Sequence, residues 1–241
     1  MINLKNIILL ALLSSAFCAC TKNQNAVAVL RYYRDDASVN KISRVVFVEI
    51  HEDTGYPDIA KRMTLNLASK LSDRCKFHVD IVNETHSDLQ DIDLTKREAY
   101  TLAELARIRK ALRCDAILFG KLQRYNPYPR HSVGLHLRLV DLRDGKVIWA
   151  IDDVWDATDK SVAKRIDNYY FDEKDKQFAP VNSEYAMMST NAFQDFISYE
   201  ISRTMDPADR GDSSKKIYWI RPAKRFGTGF LNGAKDFLQD F

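Results

Sequence analysis

Residues 114–157 read CDAILFGKLQRYNPYPRHSVGLHLRLVDLRDGKVIWAIDDVWDA. This stretch decides the fold. Residues 116–122 form a near-continuous apolar run, as a strand covered on both faces requires. Residues 133–142 alternate, with Leu135, Leu137 and Leu139 on one side and His136 and Arg138 on the other. Residues 147–155 follow after Arg143-Asp144-Gly145-Lys146. Asp-Gly between apolar runs predicts a two-residue hairpin turn with φ > 0 at both central positions. The stretch therefore predicts three consecutive strands ending in a hairpin.

Working outward, residues 44–50 (RVVFVEI) predict a buried strand. Pro57 and Asp58 suit the first turn of a helix: proline loses no hydrogen bond there, and the carboxylate faces the positive end of the dipole. Ile59, Met63, Leu67 and Leu71, with Ala60 and Ala68 beside them, make one apolar stripe. Residues 76–82 alternate as a half-exposed strand, with Phe77, Val79 and Ile81 opposite His78 and Asp80. Thr95-Lys96-Arg97-Glu98 has the form of a capping box and predicts a helix to about Arg113, buried through Leu102, Leu105, Ile108 and Leu112. After Trp155, residues 160–170 predict a short helix, and residues 171–185 a charged loop. Ser189 caps a longer helix whose apolar face is Phe193, Phe196, Ile197, Ile201 and Met205. The element order β-α-β-α-β-β-β-α predicts an α/β sandwich: a mixed sheet of about five strands with helices packed on it.

The ends differ from this body, taken as residues 44–206. Lys5, the short apolar run 7–13 (IILLALL) and the small residues after it predict a cleaved signal peptide, residues 1–19. The run is too short to span a bilayer. Ala19-Cys20 resembles the bacterial lipobox, in which the cysteine becomes the acylated first residue of the mature chain. That resemblance implies lipidation of Cys20, with acyl chains such as palmitate each adding about 0.8 kcal/mol of membrane attachment per buried CH₂. Cleavage by the ordinary signal peptidase is the alternative. Thr21, where an inner-membrane retention signal would carry Asp, resembles the outer-membrane class. Residues 20–43 are polar and mixed and predict a tether, although Tyr32 and Tyr33 offer a way to dock on the body. Residues 207–214 (PADRGDSS) predict a linker. Residues 215–241 carry six basic residues against Asp236 and Asp240, interleaved with Tyr218, Trp219, Phe226, Phe230, Phe237 and Phe241. Such a segment suits a lipid headgroup layer or a partner; the alternative is a strand at 217–220 and a helix lying on its own domain.

Composition bounds the function. Of 241 residues, 46% are hydrophobic and 29% charged, which predicts a packed core. A net charge of +3 gives no argument for nucleic acid. The sequence carries no G-x-S-x-G, Walker A or H-E-x-x-H, so it points to no catalytic residue, metal or cofactor. His51-Glu52-Asp53 is a candidate chelate or a solvated loop. Asp152, Asp153, Asp156 and Asp159 are candidate oxygen ligands or turn caps. Cys75 and Cys114 are either a disulfide or two buried thiols. The loop 123–131 (QRYNPYPRH) presents Tyr125, Tyr128 and His131 between Pro127 and Pro129. Prolines lower the entropy cost of presenting contact residues, so these three and Trp155 are candidate partner contacts; covering the core edge is the other role open to the tyrosines. Trp219, Phe226 and Phe230 are the candidates in the tail.

The lipobox-like start, VVFVEI, TGYPDIAKRM, CDAILFGKL and VGLHLRLVDLRDGKVIWAIDDVWD, in that order, resemble bacterial envelope lipoproteins of the curli-export type. The activators of penicillin-binding proteins and the N-terminal domain of TolB are similar. The resemblance implies a small α/β domain and a periplasm-facing outer-membrane lipoprotein. Its expected role is non-catalytic, as an accessory or scaffold in secretion or envelope assembly, with envelope or secretion-apparatus proteins as partners. A ring-forming export subunit built by self-association and a cell-wall enzyme are the alternatives. No pair of long alternating segments matches a curli-type pore.

Overall fold

The computed structural model describes residues 30–83, 100–172 and 183–206. The elements run β1 (Tyr32–Arg34), α1 (Asp36–Val39), β2 (Arg44–Val48), β3 (His51–Glu52), α2 (Pro57–Arg74), β4 (His78–Val82), α3 (Leu102–Leu112), β5 (Ala116–Asn126), β6 (Ser132–Asp141), β7 (Val147–Asp156), α4 (Lys160–Asp172), α5 (Ser183–Met188) and α6 (Thr190–Met205).

The strands make one open, mixed, seven-stranded sheet in the order β1-β7-β6-β5-β2-β4, with β3 also paired to β5. Strands separated by helices pair in parallel: β2 with β4 and with β5. The β5-β6-β7 meander is antiparallel, as its short connections require. The parallel strand β2 is buried along Val45–Val48 because both faces are covered.

On one face, Val45, Phe47, Leu118, Leu135, Leu137, Leu139, Trp149 and Trp155 pack with α2, α4, α5 and α6. On the other, Val46, Val48, Ile117, Phe119 and Val140 pack under Leu105 and Ile108 of α3. The apolar stripe of α2 is buried as its spacing predicts. So are all five apolar positions predicted for α6, and Ser189 accepts the Ala192 N–H as its cap.

Several expectations are corrected. The tether does not extend to residue 43. β1 pairs antiparallel with β7, Asp35 caps α1, and Leu30, Val39 and Ile42 are buried, so the folded body begins by residue 30. A three-residue strand is too short to show periodicity. The sheet has seven strands rather than about five because β1 and the two-residue β3 were too short to read.

The helix before β5 starts at Thr101. A different capping box, Thr101 with Glu104, closes it: the Thr101 hydroxyl accepts the Glu104 N–H at 3.2 Å and the Glu104 carboxylate accepts the Thr101 N–H at 2.8 Å. The box at Thr95–Glu98 lies outside the described residues. Leu102 is exposed rather than buried.

The β6–β7 turn is also different. Asp144 keeps a negative φ and only Gly145 is left-handed, at φ 74°. Gly145 N–H donates to the Asp141 carbonyl, and a bulge beside Val140 absorbs the extra residue. The predicted loop 171–185 is part helix: α4 runs to Asp172 and α5 starts at Ser183.

His136 and Arg138 face away from the leucines of β6, as expected, yet both are buried. The Arg138 guanidinium lies 5.3 Å from the Phe119 ring centroid, and His136 Nδ1 is 3.9 Å from Asp152. Gly120 is where β5 meets the Ile50 side chain. A Cβ there would lie 2.7 Å from Leu137 Cδ2 and 2.8 Å from Ile50 Cγ1.

Candidate contact site

β5 runs on beyond its pairing with β2 and β3, while β7 follows β6 to its first residue, Ser132; a bulge between Leu122 and Arg124 bends the β5–β6 pair. Their connection is locked locally. The Asn126 side-chain oxygen accepts the Tyr128 N–H at 3.1 Å, and Pro127 and Pro129 fix the flanking φ angles. Tyr128 stands at the tip, 81% exposed.

His131 fastens the tip to the helical layer. It is buried between Tyr125, at 6.2 Å, and Phe193, at 5.7 Å between ring centroids. Its Nε2 lies 2.8 Å from the Met188 carbonyl. A carbonyl only accepts, so this nitrogen carries the proton. The His131 carbonyl in turn accepts the Ala157 N–H at 2.9 Å. Arg130 reaches the Met187 sulfur at 3.5 Å. Tyr125 packs edge-on against Tyr56, 4.8 Å away.

Tyr125, Tyr128 and His131 thus meet at one place with two different duties. Tyr125 and His131 point inward and hold the tip; Tyr128 is presented. Three further large side chains are exposed on elements that meet there: Tyr56 before α2, Tyr185 on α5, and Met188 at the α5–α6 turn, 67% exposed. These were not singled out from sequence. The apolar run Tyr185-Ala186-Met187-Met188 just ahead of the Ser189 cap was the available signal.

Trp155 is corrected from a surface contact to a core residue. It is fully buried, and its indole N–H donates to Glu200 Oε2 at 2.7 Å. Trp149 is held the same way by Thr204 Oγ1 at 3.0 Å. Glu200 Oε1 lies 3.0 Å from the Arg165 guanidinium. Burial nonetheless lifts the Glu200 carboxyl above its ordinary range, the Arg165 charge opposing only part of the shift.

Cys75 and Cys114 are free thiols and not a disulfide. They sit in different apolar clusters on opposite sides of the sheet. Burial pushes the Cys75 thiol up to about 12 and Cys114 to about 11. Cys20, Trp219, Phe226 and Phe230 lie outside the described residues.

The acidic candidates have structural partners. Asp156 accepts the Thr158 N–H at 2.8 Å, and Asp159 the Ser161 N–H at 2.7 Å. Asp53 holds Lys121 at 2.8 Å and His51 at 2.9 Å, and Lys121 keeps its carboxyl below the usual range. Glu52 accepts the N–H groups of Thr54 and Tyr56, both at 2.9 Å, and so shapes the entry to α2. Among the described residues no cluster of His, Cys, Asp and Glu has the geometry for a metal ion. Among them, too, no helix is long and apolar enough to cross a membrane.

No family model matches the chain, and no curated protein matches it. Solved structures are similar in part. The PelC dodecamer from Paraburkholderia phytofirmans is 19% identical over 52% of this chain and 78% of that one, with a TM-score of 0.38. Lipoprotein GNA1162 from Neisseria meningitidis is 18% identical over 46% and 81%, with a TM-score of 0.37. The LpoB C-terminal domain from Salmonella enterica is 14% identical over 47% and 82%, with a TM-score of 0.30. At these TM-scores the likenesses carry no functional weight.

Proposed function

We propose that this chain is a non-catalytic lipoprotein held in the outer membrane by acylated Cys20. It faces the periplasm and serves as an accessory or scaffold in secretion or envelope assembly. The observation that carries the reading is the β5–β6 tip: an exposed tyrosine on a locked turn, with Tyr56, Tyr185 and Met188 exposed on elements that meet there. Rigid aromatic side chains lose little conformational freedom on binding, so they favour contact with a protein partner. The lipobox-like start supports the anchor.

The test is co-purification from detergent-solubilised envelopes of the native host. The native chain is expected to retain one envelope protein. Tyr128→Ala with Met188→Ser is expected to lower that recovery about tenfold, a loss of roughly 1.4 kcal/mol, with the melting temperature unchanged because both side chains are exposed. Equal recovery with the double variant contradicts the assignment of the site.

A further inference from the structure

The sheet is open, and its two edges differ. β1 has three residues; β4 has five and, among the described residues, pairs with β2 alone. The register of β4 on β2 is unbroken, and residues 78–82 hold no proline, lysine or bulge of the kind that blocks edge pairing. The His78 N–H donates to the Ser43 carbonyl, and the Val82 carbonyl accepts the Glu49 N–H, both at 2.9 Å. Backbone groups alternate in direction along a strand. Those of His78, Asp80 and Val82 therefore face β2, and those of Val79 and Ile81, with Phe77 just ahead, face outward.

The side chains at this edge are apolar on one face of the sheet and charged on the other. Phe77 and Val79 are buried in the cluster that contains the stripe of α2, and Ile81, next on the same side of the strand, is 40% exposed. α2 packs on both α6 and β4. Leu65 of α2, two residues after Met63, is turned about 200° from the flank on which Met63 meets Ser198 of α6. It is exposed on the β4 side. On the other face, the Asp80 carboxylate accepts from Arg44 Nε at 2.7 Å and lies 3.2 Å from Nε2 of exposed His78.

We infer that a second copy of this chain pairs antiparallel with this edge, about a two-fold axis at Val79. In that register Val79 meets Val79 of the other copy and Phe77 meets Ile81, all through outward-facing backbone, for about six hydrogen bonds. His78 stands opposite Asp80 on both sides of the axis, so each carboxylate gains a second imidazole. Centring the pairing on Asp80 sets two carboxylates directly opposite, which is destabilising. Charge complementarity thus selects a second copy in one register. The contact is isologous and closes at two chains. It uses neither the tip nor Cys20, so it is tested independently of the function proposed above.

The chain from Thr21 to Phe241, without acyl groups, contains the whole described body. Light scattering over a concentration series is expected to reach twice the mass of one chain. Ile81→Pro removes an outward N–H and an exposed side chain while leaving the bonds to β2 in place. It is expected to weaken dimerisation at least about tenfold with circular dichroism unchanged. Val79→Cys is expected to form an interchain disulfide on mild oxidation, because paired Cα atoms on the axis stand about 5.5 Å apart. If Ile81→Pro disturbs the fold, His78→Asp decides. It sets two carboxylates opposite each other and is expected to dissociate the dimer, and adding Asp80→His is expected to restore it. A monomer at every concentration overturns the inference. So does a dimer that survives these changes and yields no disulfide from Val79→Cys. Recovery from the host of a different protein in place of the second copy, lost with Ile81→Pro, overturns it too.

Discussion

Glu200 is the residue on which the helical layer depends most. One oxygen accepts the Trp155 indole N–H and the other meets Arg165, all under cover. Glu200→Ala leaves a buried guanidinium uncompensated and an indole N–H without its acceptor, a change expected to cost about 3–5 kcal/mol in urea unfolding. The sign of the pH effect follows from burial. The folded carboxyl titrates above its ordinary value of 4.5, so above that value the native state binds more proton than the unfolded chain. Its contribution is full below pH 4.5 and is lost as pH rises through the folded-state value. Glu200→Gln is expected to remove that slope from the stability profile; an unchanged slope assigns it elsewhere. Gly120→Ala places a Cβ against Leu137 and Ile50, which must shift within a packed core, so overpacking of about 1–3 kcal/mol is expected. The thiols of Cys75 and Cys114 have almost no thiolate at pH 8, with values of about 12 and about 11. Ellman's reagent should leave buried Cys114 unlabelled in the native mature chain, label half-buried Cys75 only slowly, and label both after denaturation; rapid labelling of Cys114 contradicts its burial.

At the level of elements, α3 depends on its cap. Thr101→Ala removes the acceptor for the Glu104 N–H and should destabilise the protein by about 1 kcal/mol, with Thr101→Ser restoring most of it. Thermal or urea unfolding measures this directly. The same helix shows where sequence reasoning runs short. Two Thr-x-x-Glu boxes stand six residues apart, and local pattern alone does not choose between them. Leu102 lies inside the second box and faces solvent beside Ala106, Arg109 and Lys110, although its spacing fits the buried stripe. Long periodic elements such as α2, α6 and the β5-β6-β7 meander were legible because burial imposes a period on many residues at once. β1 and β3 were not, because two or three residues carry no period. The buried polar residues of α6 were hidden for another reason. Residue type alone suggests exposure, yet Gln194, Ser198, Glu200, Ser202 and Thr204 are all buried; Glu200 and Thr204 follow Phe193 and Ile197 at helical spacing on the apolar stripe itself, and they accept the indole N–H groups of Trp155 and Trp149. Two tryptophans in one core strand demand two acceptors, and that demand was the available signal. The contact site was half legible. The Tyr-Pro-Tyr-Pro run marked the tip, but which rings point inward depends on α5 and α6, far along the chain.

Over the whole molecule, helices pack on both faces of the seven-stranded sheet, and the presented apolar side chains of its tip meet at the end where β5 joins β6. The anchor and the tip make separate demands. Mass spectrometry of the chain from host membranes is expected to find acylated Cys20 as the first residue; an unmodified Ala19 or Cys20 contradicts the anchor. For the contact itself, a photoreactive benzoylphenylalanine is placed at Tyr128 in the native host, with Lys61, exposed on α2, as the comparison position. Irradiation is expected to join one envelope protein to the chain from position 128 and not from 61. No adduct from position 128, or the same adducts from both, contradicts a scaffold that works through this tip.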